Sequence, residues 1–356
     1  MNGLAAFLSG VLVLIAIALP VSVGANDDSP PHTVIVVVGA AGTPEYLEQF
    51  VEWSDLWKQA CAEGLGRFHG IGLNGGWQPQ SQLGDGRPAE TITESFGLEA
   101  ATRSDRLHLK ELLAAESQGD GPLWLVLIGH GTYDGRTARF NLRGPDLTTD
   151  DLVEWLAPIQ RPVALINTAS ASAPFLTALS APGRVIVTAT KSGFEQNYTR
   201  FGRYLAEAIA EPAADLDKDG QVSLLEAFLT ASHRTQAFYQ GQGWLATEHA
   251  LLDDDGDGLG TPADWFRGIR PVRQAAARTD HDSPLLDGYR AHQLHLIRSE
   301  IEAAMPPDLR AERDRLELEV MKLRDTKGDL PEAQYYTELE TLLRQIARIY
   351  ERSTGE

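Results

Sequence analysis

Buried strands that alternate with helices constrain the fold of this chain most strongly. Runs of β-branched and aliphatic residues recur between residues 33 and 210, and segments with helical spacing of their apolar residues separate them. Parallel strands need crossover connections and are covered on both faces, so this pattern predicts an α/β fold with a mostly parallel sheet and helices on both faces. The predicted strands are 33–39, 67–73, 123–129, 162–167 and 184–189. The predicted helices between them are 44–62, 105–116 and 149–157, and residues 74–100 are predicted to form a loop.

The region after residue 200 has a different pattern. We expect no further strands there, because helical spacing dominates residues 201–210, 224–240 and 289–356. Two apolar stripes in the last segment flank Gly328 and Pro331 and predict an αα-hairpin. This hairpin would serve either as a helical cap on the core or as an arm for oligomerisation or partner binding.

Residues 215–226 have the form of an EF-hand calcium loop. Carboxylates stand at positions 1, 3 and 5, a glycine stands at position 6 where the chain turns sharply, and a glutamate at position 12 can supply two oxygens. Position 7 offers a backbone carbonyl and position 9 a hydroxyl. The predicted Ca²⁺ ligands are Asp215, Asp217, Asp219, Gln221, Ser223 and Glu226. The alternative is an acidic surface turn that binds no ion.

A second acidic segment, residues 253–264, repeats this spacing less completely. It has a glycine at position 6, but position 12 is an aspartate, whose shorter side chain favours binding through a single oxygen. The predicted ligands are Asp253, Asp255, Asp257 and Asp264. The sequence therefore predicts one calcium site, with a second at this segment.

Charge and the apolar leader restrict the partners and the location. The formal net charge of −19 argues against a nucleic-acid or anionic-membrane partner and suits a protein that binds cations. Residues 4–25 are almost wholly apolar and end in small residues, which predicts an export signal cleaved after Ala25. Because residues 1–3 carry no Lys or Arg, an uncleaved membrane anchor is the alternative, and only then is a membrane a partner. Either reading places the protein outside the cytoplasm, as a periplasmic, secreted or membrane-tethered protein.

Two predicted strands end in residues that can carry chemistry. His130 and Gly131 follow the strand at 123–129, and Ser170 follows the strand at 162–167. Sites of parallel sheets form at the carboxyl ends of strands, so we expect these residues at one edge. The alternatives are a histidine bonded to backbone and a serine that caps the next helix. Asp134 is near in sequence, but its surroundings are typical of a turn.

This arrangement resembles the caspase/legumain-like cysteine peptidases. The resemblance covers about residues 33–210 through strand order, the His130-Gly131 pair and the motif at residues 169–173. It implies that His130 is the general base or acid and that the nucleophile stands at position 170, with the N–H groups of Gly131 and of residue 170 as oxyanion donors. It also implies that Ser192 and Glu195 help to line the pocket for the residue before the cut bond, where a glutamate would favour a basic side chain. An ordinary polar loop is the alternative for these two residues.

The chain departs from this family at the nucleophile. Ser170 stands where the family has cysteine, and Ala173 stands where it has glycine. The single cysteine, Cys61, lies on the apolar stripe of the first helix and is expected to be a packing residue that forms no internal disulfide. A serine hydroxyl needs a well-oriented base to attack a peptide bond. We therefore expect a pseudo-peptidase that binds peptide or protein ligands without efficient cleavage.

Two other functions stay open: an active peptide hydrolase that uses Ser170 and His130, and a calcium-stabilised scaffold that acts through its C-terminal helices. The oligomeric state is open as well. The predicted segments are a leader (1–25), a linker (26–32), a caspase/legumain-like α/β domain (33–200), an EF-hand-type calcium-binding segment (201–270) and a helical C-terminal region (271–356).

Overall fold

The computed structural model describes residues 32–73, 104–119, 121–273 and 286–354. The predicted leader and the predicted loop at 74–100 lie outside these residues, as does all of the linker except His32. Within the described ranges, no helix combines the length and the apolar character that a membrane crossing requires.

The described elements fall into two groups. Those up to residue 208 are, in chain order, β1 (Thr33–Val38), α1 (Pro44–Glu63), β2 (Arg67–Ile71), α2 (Asp105–Ala115), β3 (Leu123–Ile128), β4 (Gly131–Tyr133), β5 (Ala138–Phe140), β6 (Leu147–Thr148), α3 (Thr149–Leu156), β7 (Val163–Asn167), α4 (Ala173–Leu179), β8 (Arg184–Thr188) and α5 (Phe201–Ala208). Those that follow are α6 (Leu224–Gln242), β9 (Leu251–Asp253), β10 (Thr261–Pro262), β11 (Phe266–Arg267), β12 (Arg270–Pro271), α7 (Tyr289–His292), α8 (Glu300–Ala304), α9 (Pro307–Asp325) and α10 (Glu332–Thr354).

Within the described residues, the main sheet has seven strands in the order β10-β9-β8-β7-β3-β1-β2. The strands from β8 to β2 are all parallel, which confirms the predicted α/β class and its mostly parallel sheet. The expectation that strands end after residue 200 is wrong, because β9 pairs antiparallel with β8 and β10 pairs with β9. These two strands have only three and two residues, which is too short for an alternating pattern to be visible in the sequence.

Helices cover both faces of this sheet. On one face Val36 of β1 packs with Trp57 of α1 and Phe228 of α6. On the other face Ile35 packs with Leu113 of α2, in the cluster that also contains residues of α3 and α4. Successive side chains of a strand point to opposite faces, so a strand buried on both sides is apolar at every position. This explains the continuous apolar runs from which the sheet is predicted.

The first helix shows how the local sequence sets its bounds. Thr43 caps α1 by accepting from the amide of Tyr46, and Pro44 occupies the first turn, where its missing N–H costs no hydrogen bond. The buried stripe of the helix includes Trp53 and Cys61. Cys61 is fully buried, and burial raises the pKa of its thiol to about 11. It is therefore a packing residue, as expected.

The C-terminal region forms the predicted helical hairpin. Its helices α9 and α10 pack together through a small core of their own, formed by Met305, Leu309, Leu316 and Ile349. Helix α8 is linked to α9 by an ion pair, in which Arg313 of α9 donates to both carboxylate oxygens of Glu302 of α8. Tyr289 of α7 donates its hydroxyl to Asp325 at the end of α9.

Candidate active site and acidic loops

His130 follows β3 and lies in an aromatic enclosure. Its ring centroid is 4.9 Å from that of Tyr46, 5.3 Å from that of Phe50 and 6.2 Å from that of Tyr198. Its Nε2 atom is 3.2 Å from the carbonyl oxygen of Ala41, in the loop after β1. Burial lowers the pKa of the imidazole, and the contact with Ala41 opposes this effect without cancelling it. A neutral ring with its proton on Nε2 fits this contact, and that leaves a lone pair on Nδ1.

The hydroxyl of Ser170 is directed at the main chain beside His130. Ser170 Oγ donates to the carbonyl oxygen of Gly131 at 3.1 Å and accepts from the amide of Gly131 at 3.2 Å. Ser170 is only 4% exposed. β3 and β7 are neighbours, so the sheet does bring His130 and Ser170 to one edge. Among the described residues, however, no hydrogen bond joins the two side chains.

Close contact between the start of β4 and the Ser170 loop requires glycine at position 131. A Cβ atom there would lie 2.2 Å from the carbonyl oxygen of Ser170. The residue after the serine, Ala171, has a left-handed φ of 54°, and its amide donates to the carbonyl oxygen of Glu195 at 2.7 Å. Left-handed backbone is strained for a residue with a Cβ, so this turn is held by its neighbours. The amide of Gly131, which the family resemblance implies as an oxyanion donor, already donates to Ser170 Oγ.

Ser172 joins the loops that follow β7 and β8. It occupies the N-cap position of α4, but its side chain makes no capping bond. Its Oγ instead accepts from the amides of Ala189 and Thr190, at 3.1 and 3.2 Å. Thr190 Oγ1 accepts in turn from the amide of Ala173 at 3.1 Å. Ser172 therefore cross-links the loops after β7 and β8 instead of capping α4, a role that a single sequence does not reveal.

The predicted pocket residues lie in the loop after β8, against the Ser170 loop. Ser192 Oγ accepts from the amide of Phe194 at 3.1 Å. Glu195 Oε2 accepts from the amide of Lys191 at 2.9 Å, and Glu195 Oε1 is 2.6 Å from Nδ1 of His249. No pattern in the sequence predicts this contact with His249. Because the carboxylate is held within its own loop and by His249, the role of Ser192 and Glu195 in a substrate pocket stays a prediction.

Asp134 does not orient His130. Its carboxylate accepts from the amides of Thr137 and Arg136 and pairs with Arg139. The amide of Thr137, followed by the other two donors, lowers the pKa of Asp134 to about 2. This is turn chemistry, as the sequence indicates. The group that holds the imidazole is the carbonyl of Ala41, which no side-chain motif could identify.

The first acidic loop leads into α6 and is folded around its own carboxylates. Asp215 accepts from the amides of Lys218 and Gly220, at 2.6 and 3.2 Å. Gly220 has a left-handed φ of 91°, which explains the glycine at position 6. Glu226 accepts from the amide of Ser223 at 2.9 Å, and Ser223 Oγ caps α6 through the amide of Glu226. Carboxylate oxygens of three predicted ligands lie within 4.8 Å of one another: Asp215, Asp217 and Asp219.

A distant segment reaches this loop. His292, the last residue of α7, places Nε2 2.9 Å from Oδ2 of Asp217. Ligand atoms of Asp217, Glu226 and His292 also lie within 4.8 Å of one another. The side chain of Gln221 accepts from the amide of Ser299 at 3.1 Å. The loop is therefore connected to the C-terminal region, and His292 is a neighbour that the twelve-residue spacing could not identify.

The second acidic segment begins at the end of β9. Carboxylate oxygens of Asp253 and Asp255 lie within 4.8 Å of one from Asp287, a residue distant in sequence. The predicted ligand Asp264 is exposed and lies outside this group, as does Asp257. In an EF-hand the last ligand lies in the first turn of an α-helix, whereas Asp264 follows β10 in a short 3₁₀ turn. Asp287 therefore lies with Asp253 and Asp255 where the spacing rule could not identify it, and the ligand roles of Asp257 and Asp264 stay predictions.

Burial makes this second group electrostatically unfavourable. Burial, with neighbouring carboxylates, raises the pKa of Asp255 to about 7 and that of Asp254 to about 6. The same causes raise the pKa of Asp287 well above its usual range, although it accepts from the amide of Asp254 at 2.8 Å and from the hydroxyl of Thr261 at 2.7 Å. Carboxylates this close must share protons or be neutralised by a cation.

A cavity of about 230 Å³ lies at the opposite end of the sheet. It is lined by the amino ends of several strands and by His32, Arg290 and His295. His32 is 3% exposed, and its buried Nδ1 has no hydrogen-bond partner among the described residues. Burial, together with nearby arginines, lowers the pKa of His32 to about 3.

Comparison with known proteins adds only distant structural likenesses. No protein-family model matches the chain, and no curated protein matches it. Caspase-1 from Spodoptera frugiperda is similar with a TM-score of 0.36 and 9% identity, over 63% of this chain and 86% of that chain. The Drosophila initiator caspase Dronc is similar with a TM-score of 0.34 and 11% identity, over 65% of this chain and 81% of that chain.

Proposed function

We propose that this protein is an exported, calcium-binding homologue of the caspase/legumain-like peptidases that binds a peptide or protein ligand without efficient cleavage. The observation that supports a pseudo-peptidase is the direction of the Ser170 hydroxyl, which bonds to the main chain of Gly131 and not to His130. A serine hydroxyl without a hydrogen-bonded base is a weak nucleophile. Export rests on the apolar leader alone.

Exposed aromatic surface beside the site supports ligand binding. Phe194, in the loop that carries Ser192 and Glu195, is 74% exposed, and its ring packs edge-on against Tyr133 at 5.3 Å. Large exposed aromatic side chains are common at sites that bind peptides and proteins. Main-chain groups at the strand ends would add hydrogen bonds to an extended ligand.

Cleavage of a peptide library tests the absence of turnover. The native protein would be assayed with calcium beside Ser170→Ala and Ser170→Cys. We expect that neither the native protein nor Ser170→Ala cleaves any peptide. We also expect that both bind extended peptides. Activity that appears in Ser170→Cys would show that the cleft is intact and that only the nucleophile is missing. Turnover by the native protein that vanishes in Ser170→Ala would refute the proposal.

An active serine hydrolase is the second candidate, and two observations favour it. His130 and Ser170 lie at the ends of adjacent parallel strands, and burial keeps the imidazole neutral, as a general base must be. Attack would require the hydroxyl to leave Gly131 and turn to the ring. Irreversible labelling of Ser170 by a fluorophosphonate, absent in His130→Ala, would establish this candidate.

Calcium binding is proposed at the first acidic loop, with a second site at Asp253, Asp255 and Asp287. The donors at both places are oxygen atoms that converge within 4.8 Å, which fits a hard divalent cation. The bound ion would supply structural rigidity rather than chemistry. Calorimetric titration with CaCl₂ tests this, with Asp215→Asn and Asp287→Asn each expected to remove one site. Unchanged titration curves in both variants would refute it.

A further inference from the structure

The cavity at the amino ends of the strands is surrounded by basic side chains. One part of its lining comes from the turns that precede β3, β7 and β8. The other part comes from α7, α8, α9 and the segment between α7 and α8, and it includes Arg290, Arg298 and Arg310. Three guanidinium groups around one cavity are unexpected in a chain with a net charge of −19. Such a concentration of positive charge favours an anion.

Two carboxylates also line the cavity, but arginine side chains hold both of them. Glu302 accepts from Arg313 at 2.5 and 2.7 Å and lies 3.3 Å from Nε of Arg310. Asp314 accepts from Arg313 at 2.5 Å, and a third carboxylate, that of Glu317, lies 3.7 Å from the same arginine. The three lining arginines and Arg313 therefore outnumber these carboxylates by one, and the surroundings of the cavity keep a positive charge.

Several polar atoms of the lining residues lack partners. Nδ1 of His32, Nε2 of His295 and Nε of Arg290 are all buried, and none has a hydrogen-bond partner among the described residues. The charge of Arg290 acts on the buried carboxylate of Asp254 without forming an ion pair with it. A buried polar group without a partner costs free energy, which a bound ligand that supplies the hydrogen bond would recover.

The behaviour of His32 agrees with a positive potential in the cavity. Burial, followed by the charges of Arg298 and Arg310, lowers the pKa of its imidazole to about 3. The ring is therefore neutral at pH 7, and a neutral imidazole can donate one hydrogen bond. A place that disfavours a further positive charge favours a negative one for the same electrostatic reason.

We propose that this cavity binds the phosphate group of a small molecule, with Arg290, Arg298 and His32 as donors. Guanidinium groups match the oxygens of phosphate in both geometry and charge. These three donors come from different parts of the chain: α7, the segment before α8 and the residue before β1. A tetrahedral phosphate presents oxygens in more directions than a planar carboxylate, so it suits donors from several elements better. The cavity volume of about 230 Å³ lies below that of pockets for drug-sized molecules, so the ligand is small.

Calorimetric titration of the full-length protein with sodium phosphate tests the site, in a buffer at pH 7.5 without added calcium. Sodium sulfate has the same tetrahedral shape and two charges, whereas sodium acetate has neither. We expect phosphate and sulfate to bind with millimolar or lower dissociation constants, and acetate to bind at least about 10-fold more weakly. No binding of phosphate up to about 20 mM, or equal affinity for acetate, would overturn the proposal.

Three variants locate the bound anion. Arg290→Gln removes a charged donor and should weaken phosphate binding at least about 10-fold, and His32→Gln should weaken it at least about threefold. Arg136→Gln removes the same charge from an exposed turn between β4 and β5, at the opposite end of the sheet, and should change the affinity less than about twofold. Far-ultraviolet circular dichroism would verify that the variants are folded. Binding that survives both cavity variants, or that Arg136→Gln weakens as much as they do, would overturn the proposal.

Discussion

The proposed stabilisation by calcium should weaken between pH 7 and pH 5.5, well above the range in which ordinary aspartates take up protons. The reason lies in the second acidic group, where burial raises the pKa of Asp255 from 3.8 to about 7. A carboxyl whose pKa is raised by folding favours the protonated folded state, so the metal-free protein loses stability as pH rises from 3.8 through 7. A bound cation favours the charged carboxylates and removes that loss.

The size of the effect follows from the shift. Asp255 is half protonated at pH 7 in the metal-free protein, so acidification to pH 5.5 returns about 1.6 kcal/mol at 1.36 kcal/mol per pH unit. Burial raises the pKa of Asp254 and of Asp287 as well, so both act in the same direction. We therefore expect the calcium-dependent difference in unfolding free energy to fall by at least about 1.6 kcal/mol, or roughly 2 °C in Tm.

Differential scanning calorimetry with excess calcium and with a chelator, at several pH values, measures this difference. The buried histidines titrate in both conditions, so their contribution cancels. Asp287→Asn should reduce the calcium effect and its pH dependence, whereas Asp264→Asn, which changes an exposed residue outside the group, should alter neither. A calcium effect that is constant from pH 8 to pH 5.5, or that grows in acid, would contradict the reasoning.

Three further predictions concern other parts of the molecule. Gly131→Ala places a Cβ 2.2 Å from the carbonyl oxygen of Ser170, so urea unfolding should show a loss of about 1–3 kcal/mol. Arg161→Met removes the buried 3.1 Å ion pair with Glu116, which keeps Arg67 as a partner at 3.1 Å, and should cost about 1–3 kcal/mol in the same assay; a loss below about 0.5 kcal/mol would show that the pair is not needed. The pKa of His32 is lowered to about 3, so the folded state loses stability as pH falls from 6.5 towards 3. His32→Leu should therefore reduce the loss between pH 6.5 and pH 4 by roughly 3 kcal/mol, and an unchanged loss would exclude His32 as its source.

The parallel sheet could be predicted because its signal is local and repeated. Each long strand is buried on both faces, so each appears in the sequence as an unbroken apolar run. Helix α1 could also be predicted from the sequence, since Thr43 and Pro44 mark its start and its buried side chains recur at helical spacing. The edge that holds His130 and Ser170 then follows from the rule that adjacent parallel strands end together.

The parts that could not be predicted depend on contacts between distant segments. β9 is defined by its pairing with β8 and not by its own three residues. Asp287 lies beside Asp253 and Asp255 although it is distant from them in sequence. A rule on the spacing of neighbouring residues cannot identify such a contact. The orienting group of His130 is a carbonyl, and every residue has one. The direction of the Ser170 hydroxyl is a rotamer choice, fixed by the Gly131 main chain rather than by a motif.

The last strand of the sheet has a consequence for behaviour at high concentration. Among the residues that the structure describes, β10 ends the sheet on one side with two residues, and the second of them is Pro262. Proline has no backbone N–H to donate, and two residues offer almost no length for another strand to pair with. This border therefore cannot act as a template for the strands of other molecules. The short, proline-containing strand β10 therefore disfavours strand-to-strand aggregation at this edge of the sheet.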